Sequence, residues 1–496
     1  MKTIEELIQA NGPFITSKIA EWLISEGLSA EAARKRISRC RSPLRTFPVP
    51  IFPKKVRFMY LESQRNREHF WLAMQRDLRA TRSIYGIALD GLLARRGVVL
   101  SKDFPTISGA TMRPVSKQVT AESVLQKLKD AGLIIERQSN LGQLVAIGCD
   151  DIGSPDIEGM RARDLSERII LDGLREWARK IGAAAYNKIR IRGETELEPI
   201  GQFQFDLAGP SYILPLNSRA GKQPGFLVAD VFSEGILTPH HICYFIRKAQ
   251  ALHATLNNTS VLPILVAEGF SGEAITLGHS AGILMATPSD LFGSTVGQAL
   301  KTLLQTLNRA AAYASSETPE RIVSLINNLS EIEGRARNLR GPMFELIVAY
   351  LVRRDAVSLA MGVRATDSKT GDKADIDVLK YTAQNADCVA IECKGKEPGG
   401  KVTELEVGSW LKKIPVMKAY LKARSAESNI SFELWTSGEF STDALTRLKV
   451  EKEKRIKNPI SWKSGEDVLA LATKHREPAM GNALKEHFLR HPLSSI

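Results

Sequence analysis

The amino-acid sequence predicts a multidomain chain of the α/β class, with an all-α N-terminal part and a C-terminal α/β sandwich built on a central mixed sheet. Three observations predict it. The 496 residues are enough for three or more domains at about 150 residues each. Up to Gly153-Ser154-Pro155-Asp156, the clearest linker, most segments show short helical spacing broken by Gly and Ser/Thr. Beyond it, apolar runs at 261–266, 282–286 and 388–391 read as buried strands between longer helical segments. The expected division is 1–78, 79–150, 160–310, a helical connector at 311–340, and 341–496.

With 43% hydrophobic and 25% charged residues the composition is that of an ordinary soluble protein. No run of about 18 apolar residues occurs, and the first six residues lack a signal-peptide core, so a cytoplasmic location and no membrane partner are expected. Five scattered cysteines, Cys40, Cys149, Cys243, Cys388 and Cys393, show no metal-ligand pairing and fit a reducing compartment. No phosphate-binding G-x-x-x-x-G-K-[ST] loop is present, which argues against an intrinsic ATP motor. Net charge is +13, and residues 1–150 hold 24 Lys+Arg against 14 Asp+Glu. That one-sided basic segment points to a polyanion, although a merely soluble basic domain reads the same way.

In chain order, residues 3–68 resemble a winged helix. Ile4, Leu7 and Ile8 open a first helix, Thr16 is the expected N-cap of a helix over 17–26, and Gly27-Leu28-Ser29 turns into a third helix over 30–40. The third helix carries Arg34, Lys35, Arg36 and Arg39, with Arg41 just beyond, as a major-groove recognition helix would. Lys54, Lys55 and Arg57 lead into a wing strand at 56–60. Apolar helix spacing and basic clustering coincide here, which favours nucleic-acid contact over a solvated face.

A second segment of this kind follows, with helices at 83–95 and 120–131, the latter closed by Gly132, and a hairpin of 133–137 with 143–147. Winged helices bind both DNA and proteins, so the partner of this copy stays open. Next come a helix over 165–181 carrying Glu167, a strand at 202–207 carrying Asp206, a strand at 225–232 carrying Asp230, and a helix over 240–256. His240-His241 has no companion ligands and reads as a helix N-terminal feature. Leu300, Leu303, Leu304 and Leu307, then Ile322, Leu325, Ile326 and Leu329, mark the helical connector.

The candidate chemistry lies in 371–396, GDKADIDVLKYTAQNADCVAIECKGK. Apolar runs at 376–381 and 388–391 flank a polar turn, a hairpin signature. Alternation puts Glu392 and Lys394 on one face of the second strand, about 6.6 Å apart. Asp377 can join that face from the neighbouring strand. Upstream, Glu345 shares a helical face with Val348, Ala349 and Val352. Such charges are costly to bury unless they bind an ion.

Together these residues resemble the PD-(D/E)XK, or restriction-endonuclease-like, nuclease superfamily: Glu345 as the acid on the first helix, Asp377 in Ala-Asp-Ile-Asp-Val, and Glu392-Cys393-Lys394 closing the next strand. The resemblance covers 335–475 and implies metal-assisted hydrolysis of phosphodiester bonds. Asp377, Glu392, the backbone carbonyl of Cys393 and Glu345 would ligate Mg²⁺, with Mn²⁺ as its substitute. Lys394 would position the attacking water or stabilise the transition state. A lone E-x-K usually decorates a solvated strand; order and context give this one its value. Asp375, on the same strand face, competes with Asp377.

The order helix acid, strand Asp, strand acid, helix recurs at Glu167, Asp206 and Asp230, but Phe232 stands where the lysine belongs. A degenerate copy of the nuclease fold is expected at 160–310; Lys248 as a substitute lysine, or an unrelated α/β fold, are the alternatives. Downstream, a helix over 407–421 interrupted near Pro415, strands at 430–435 and 460–462, and helices over 442–455 and 465–474 complete the sheet. Lys412, Lys413, Lys418 and Lys422 line the phosphate approach or solvate a face.

The expected function is a Mg²⁺-dependent endonuclease gripping double-stranded DNA, in restriction or anti-phage defence. Repair and RNA cleavage stay open. The alternative is a DNA-binding regulator or assembly subunit with a vestigial site. Cutting both strands favours a homodimer, and a defence-system partner protein is left open. Base specificity is reported by no motif.

Overall fold

The computed structural model describes residues 3–65, 67–116, 118–139, 142–148, 157–184, 188–192, 198–211, 225–255, 260–308, 340–382, 387–424 and 429–489. The chain divides into two units, Met1–Leu291 and Phe292–Ile496. The expected linker at 153–156 lies outside the described residues, as do residues 311–339 of the connector expected at 311–340, Cys149, Asn140, Leu141 and 383–386.

The first unit opens with α1 (Ile4–Asn11), started by a capping box of Thr3 and Glu6. Then come β1 (Phe14–Ile15), α2 (Thr16–Ser25), α3 (Ala30–Ser38), β2 (Leu44–Thr46) and β3 (Phe58–Leu61), the strands antiparallel in the order β1-β3-β2. Ser29 caps α3 by accepting the Ala32 N–H. Thr16, expected as the cap of α2, is its first residue instead. Its hydroxyl accepts the Arg57 N–H at 3.1 Å and so ties α2 to the approach to β3. The strand expected at 56–60 starts two residues later, because Lys54 and Lys55 turn the chain with φ of 55° and 59°.

α4 (Glu68–Ala80), α5 (Ile84–Ala94), β4 (Val98–Leu100), α6 (Phe104–Ser108), α7 (Ala121–Asp130), β5 (Ile134–Ser139) and β6 (Gly142–Ile147) follow, with an antiparallel sheet β4-β6-β5. The expected boundary between 78 and 79 falls inside α4. One apolar core runs from Ile15 through Phe58, Phe70, Leu89 and Val124 to Val145. Across the same seam the buried Asp77 accepts from Ile15 N and Lys18 Nζ.

α8 (Ile157–Lys180) precedes the middle sheet of β7 (Arg190–Ile191), β8 (Leu207–Ser211), β9 (Gly225–Val231), β10 (Ile236–Leu237), α9 (Pro239–Thr255), β11 (Val261–Val266), β12 (Gly269–Phe270), α10 (Gly272–Ser280) and β13 (Leu284–Ala286). The order is β13-β11-β9-β8-β7; β7, β8 and β9 are antiparallel, and β9, β11 and β13 parallel. The strand expected at 202–207 begins at its last residue, because Ile200 and Phe203 bond each other and turn the preceding chain. His241 Nδ1 accepts the Thr238 N–H at the start of α9, the local role its position predicts.

α11 (Pro288–Phe292) and α12 (Ser294–Asn308) are followed by α13 (Arg340–Val352), β14 (Ser358–Thr366), β15 (Lys373–Tyr381), β16 (Asp387–Lys394), β17 (Lys401–Val402), α14 (Glu404–Arg424), β18 (Asn429–Thr436), β19 (Glu439–Phe440), α15 (Thr442–Lys454), β20 (Ile460–Lys463), α16 (Gly465–Lys474) and α17 (Pro478–Leu484). The sheet order is β14-β15-β16-β18-β20, antiparallel in its first three strands and parallel thereafter. Both large sheets thus read helix, three antiparallel strands, helix, parallel strand, helix, parallel strand. Both also carry a small parallel pair in the same place, β10 with β12 and β17 with β19.

Two expectations change here. α14 is continuous through Pro415, whose exposed ring costs one helical hydrogen bond while Trp410, Ile414 and Met417 stay buried. α13 is apolar all round rather than striped: Met343, Phe344 and 346–352 are buried, and Glu345 interrupts them. Among the described residues no helix is long and apolar enough to cross a membrane.

Candidate functional site

The site forms where the β15–β16 ladder ends. Strand partners run from Tyr381↔Cys388 to Val378↔Ile391 and stop. Beyond that point Asp377 Oδ2 takes the Cys393 N–H at 2.7 Å, so a carboxylate replaces the strand carbonyl and the two strands open. Glu392, 3% exposed, accepts from Lys394 Nζ and Lys413 Nζ, both at 2.8 Å on Oε1. Its other oxygen, Oε2, is buried and accepts no hydrogen bond.

Gly395 brings the helix acid to this junction. A Cβ there would run into the Arg340 carbonyl, so glycine allows the start of α13 to lie against the end of β16. Glu345, two turns into α13, is then close enough for its charge to act on Asp377 and Cys393.

The electrostatics are those of an acidic cluster short of positive charge. Burial, then Glu345 and Glu392, hold the Asp377 carboxyl well above its ordinary range, against the Cys393 N–H and Lys394. Burial, then Asp377, Glu345 and Glu392, raise the Cys393 thiol. Burial works against the Lys394 ammonium, but Glu392 and Asp377 prevail and raise it. Asp375 points its charge elsewhere: it pairs with Arg364, its partner on β14, at 3.5 Å. Lys413 is drawn onto Glu392, whereas Lys412 and Lys418 are exposed. A lysine beside the apolar row Trp410, Ile414 and Met417 was the signal for this; which strand residue it meets is set only by the crossover.

As the side chains stand, no three His, Cys, Asp and Glu side chains among the described residues are gathered as a metal-ligand set. The donors nevertheless fit a hard divalent cation. They are carboxylates, their charges oppose one another, and the buried Glu392 Oε2 lacks a partner.

The expected nucleic-acid residues all belong to the first unit. Arg34 and Lys35 are exposed on α3, Arg39 is exposed at its C-cap, and Arg36 is half-buried; Lys35 pairs with Glu31 at 2.7 Å. Lys54, Lys55 and Arg57 are exposed in the loop before β3.

No protein-family model matches the chain, and a comparison with curated proteins gives no match. Among solved structures, a restriction endonuclease FokI bound to DNA aligns at 11% identity over 54% of this chain and 56% of that chain, with a TM-score of 0.16. The chain therefore spans little more than half of that structure, and a score this low does not establish a shared fold.

Proposed function

We propose that the second unit is a Mg²⁺-dependent endonuclease of the PD-(D/E)XK type, acting on double-stranded DNA held by the basic, winged-helix-like face of the first unit. The observation that carries the reading is the unpartnered, buried Oε2 of Glu392 at a strand junction shared with Asp377 and Glu345. Asp377, Glu392, Glu345 and the carbonyl of Cys393 would hold the ion. Bound there, Mg²⁺ supplies an acidified water and neutralises charge on phosphate oxygens.

The chain's own residues supply the rest. The Cys393 N–H fixes the rotamer of Asp377. Lys394, held charged by Glu392, keeps N–H donors beside the junction for a phosphate oxygen. Basic side chains on α3 and before β3 add sequence-independent attraction to phosphate. Anti-invader restriction is the role we favour for this combination.

The second reading, a DNA-binding regulator with a vestigial site, is favoured by one observation: Lys394 and Lys413 already share Glu392 Oε1. Supercoiled plasmid incubated with Mg²⁺ separates the two. Nicking by the native chain and its loss in Lys394→Ala and Asp377→Ala supports the nuclease; intact plasmid in every tube, at varied protein and salt, supports the regulator.

A further inference from the structure

The middle sheet repeats the junction of the C-terminal one residue by residue. Its β8–β9 ladder ends at Leu207↔Ala229, as the other ends at Val378↔Ile391. The next residues are Asp206 and Asp230 where the second unit has Asp377 and Glu392. The Val231 N–H donates to Asp206 Oδ2 at 3.0 Å, as that of Cys393 does to Asp377. Lys248, the tenth residue of α9, donates to Asp230 Oδ2 at 2.6 Å, as Lys413, the tenth of α14, donates to Glu392. Glu167 lies on the helix preceding the sheet, as Glu345 does.

One thing differs. Arg95, from the turn between α5 and β4, enters this junction and is 6% exposed. Its guanidinium donates to Glu167 Oε2, to Asp206 Oδ2 at 3.0 Å and to the Val231 carbonyl at 2.9 Å. These three acceptors are the counterparts of Glu345, Asp377 and the Cys393 carbonyl. The ring of Phe232, the residue standing where Lys394 stands in the other copy, packs under the guanidinium at 4.5 Å. Arg192 adds a second cation, with Nη2 on Glu167 at 2.6 Å and Nε facing Asp206 Oδ1 at 3.3 Å.

We infer that this junction is a divalent-cation site sealed by the chain itself, with the Arg95 guanidinium standing in the place of the ion. The inference rests on the reading of Glu345, Asp377 and Cys393 as a cation site. Its consequence is a division of labour. The middle copy serves as a joint that locks the turn after α5 onto the sheet, and each chain keeps one cutting centre. Replacing Arg95 removes the stand-in charge and leaves carboxylate oxygens that a hard cation can satisfy.

The test counts Mn²⁺ bound per full-length chain, by the loss of its free-ion EPR signal, in native protein, Arg95→Met, Asp377→Asn and the double variant. The sealed site predicts one more ion in Arg95→Met than in native protein. The same increment is expected on the Asp377→Asn background, so it stands even if the native chain binds none. Thermal melting of Arg95→Met should fall by several degrees and be partly restored by Mn²⁺, whereas adding Glu167→Gln should abolish that rescue. If Arg95→Met does not fold, refolding from denaturant with and without Mn²⁺ decides: recovery with the ion alone supports the inference. No added ion in folded Arg95→Met, no Mn²⁺ rescue of its melting, or no refolding in either condition overturns it.

Discussion

The backbone N–H of Cys393 donates to Oδ2 of Asp377 at 2.7 Å, where the strand ladder has already ended. This bond holds the Asp377 carboxylate where the charges of Glu345 and Glu392 act on it, whereas Asp375 on the same strand pairs with Arg364. Asp377→Asn keeps the shape and an acceptor but removes the charge. Plasmid nicking should fall at least about a hundredfold, while DNA retention in a mobility-shift gel is unchanged. Equal loss of both would show that Asp377 shapes the protein rather than the reaction.

The same cluster makes ion-free stability depend on pH. The Asp377 carboxyl is raised in the folded chain by burial, Glu345 and Glu392, so the folded state binds this proton at pH values where the unfolded chain, near 3.8, has released it. The contribution is fully present below the unfolded value and is lost as pH rises through the folded one. Melting of the chelator-treated protein should therefore fall as pH rises above the unfolded value of 3.8, and Asp377→Asn should flatten the slope. A native profile as flat as that of the variant would contradict the burial and crowding described here.

Gly395 is a prediction about geometry alone. Its Cβ position is occupied by the carbonyl of Arg340, so Gly395→Ala must push the start of α13 off the end of β16. The cost should be about 1–3 kcal/mol, as for other overpacked sites. Cleavage should drop more than stability accounts for, because Glu345 moves with the helix. Chemical denaturation and nicking assays on one preparation check both, and a fully active, fully stable variant would refute the close approach.

Which of these features the sequence reveals depends on how local their causes are. The helices expected from 30 and 442 begin there, each capped by the preceding serine, Ser29 and Ser441, whereas Thr16, the expected cap, is the first residue of its helix. Asp377, Glu392 and Lys394 are legible because a hairpin with period two brings them together. Arg95 is invisible by the same logic, lying 72 residues from Glu167 and 111 from Asp206. A lone arginine after a helix looks solvated until the sheet is folded. The 78/79 boundary was expected between two helix-and-hairpin patterns, but periodicity cannot report that their apolar faces meet in one core.

The basic face of the first unit carries the last prediction. Arg34 and Arg39 are exposed at α3, and phosphate contacts act through released counterions, so each one lost lowers the slope of log affinity against log salt by about one. Arg34→Ala and Arg39→Ala should each weaken duplex binding equally on unrelated sequences, with the double variant losing about two units of slope in a fluorescence anisotropy titration. Lys35 is tied to Glu31 on its own helix, so Lys35→Ala should change the slope less than either arginine. A variant that alters preference among sequences without changing the slope would move that side chain from the backbone to the base edges.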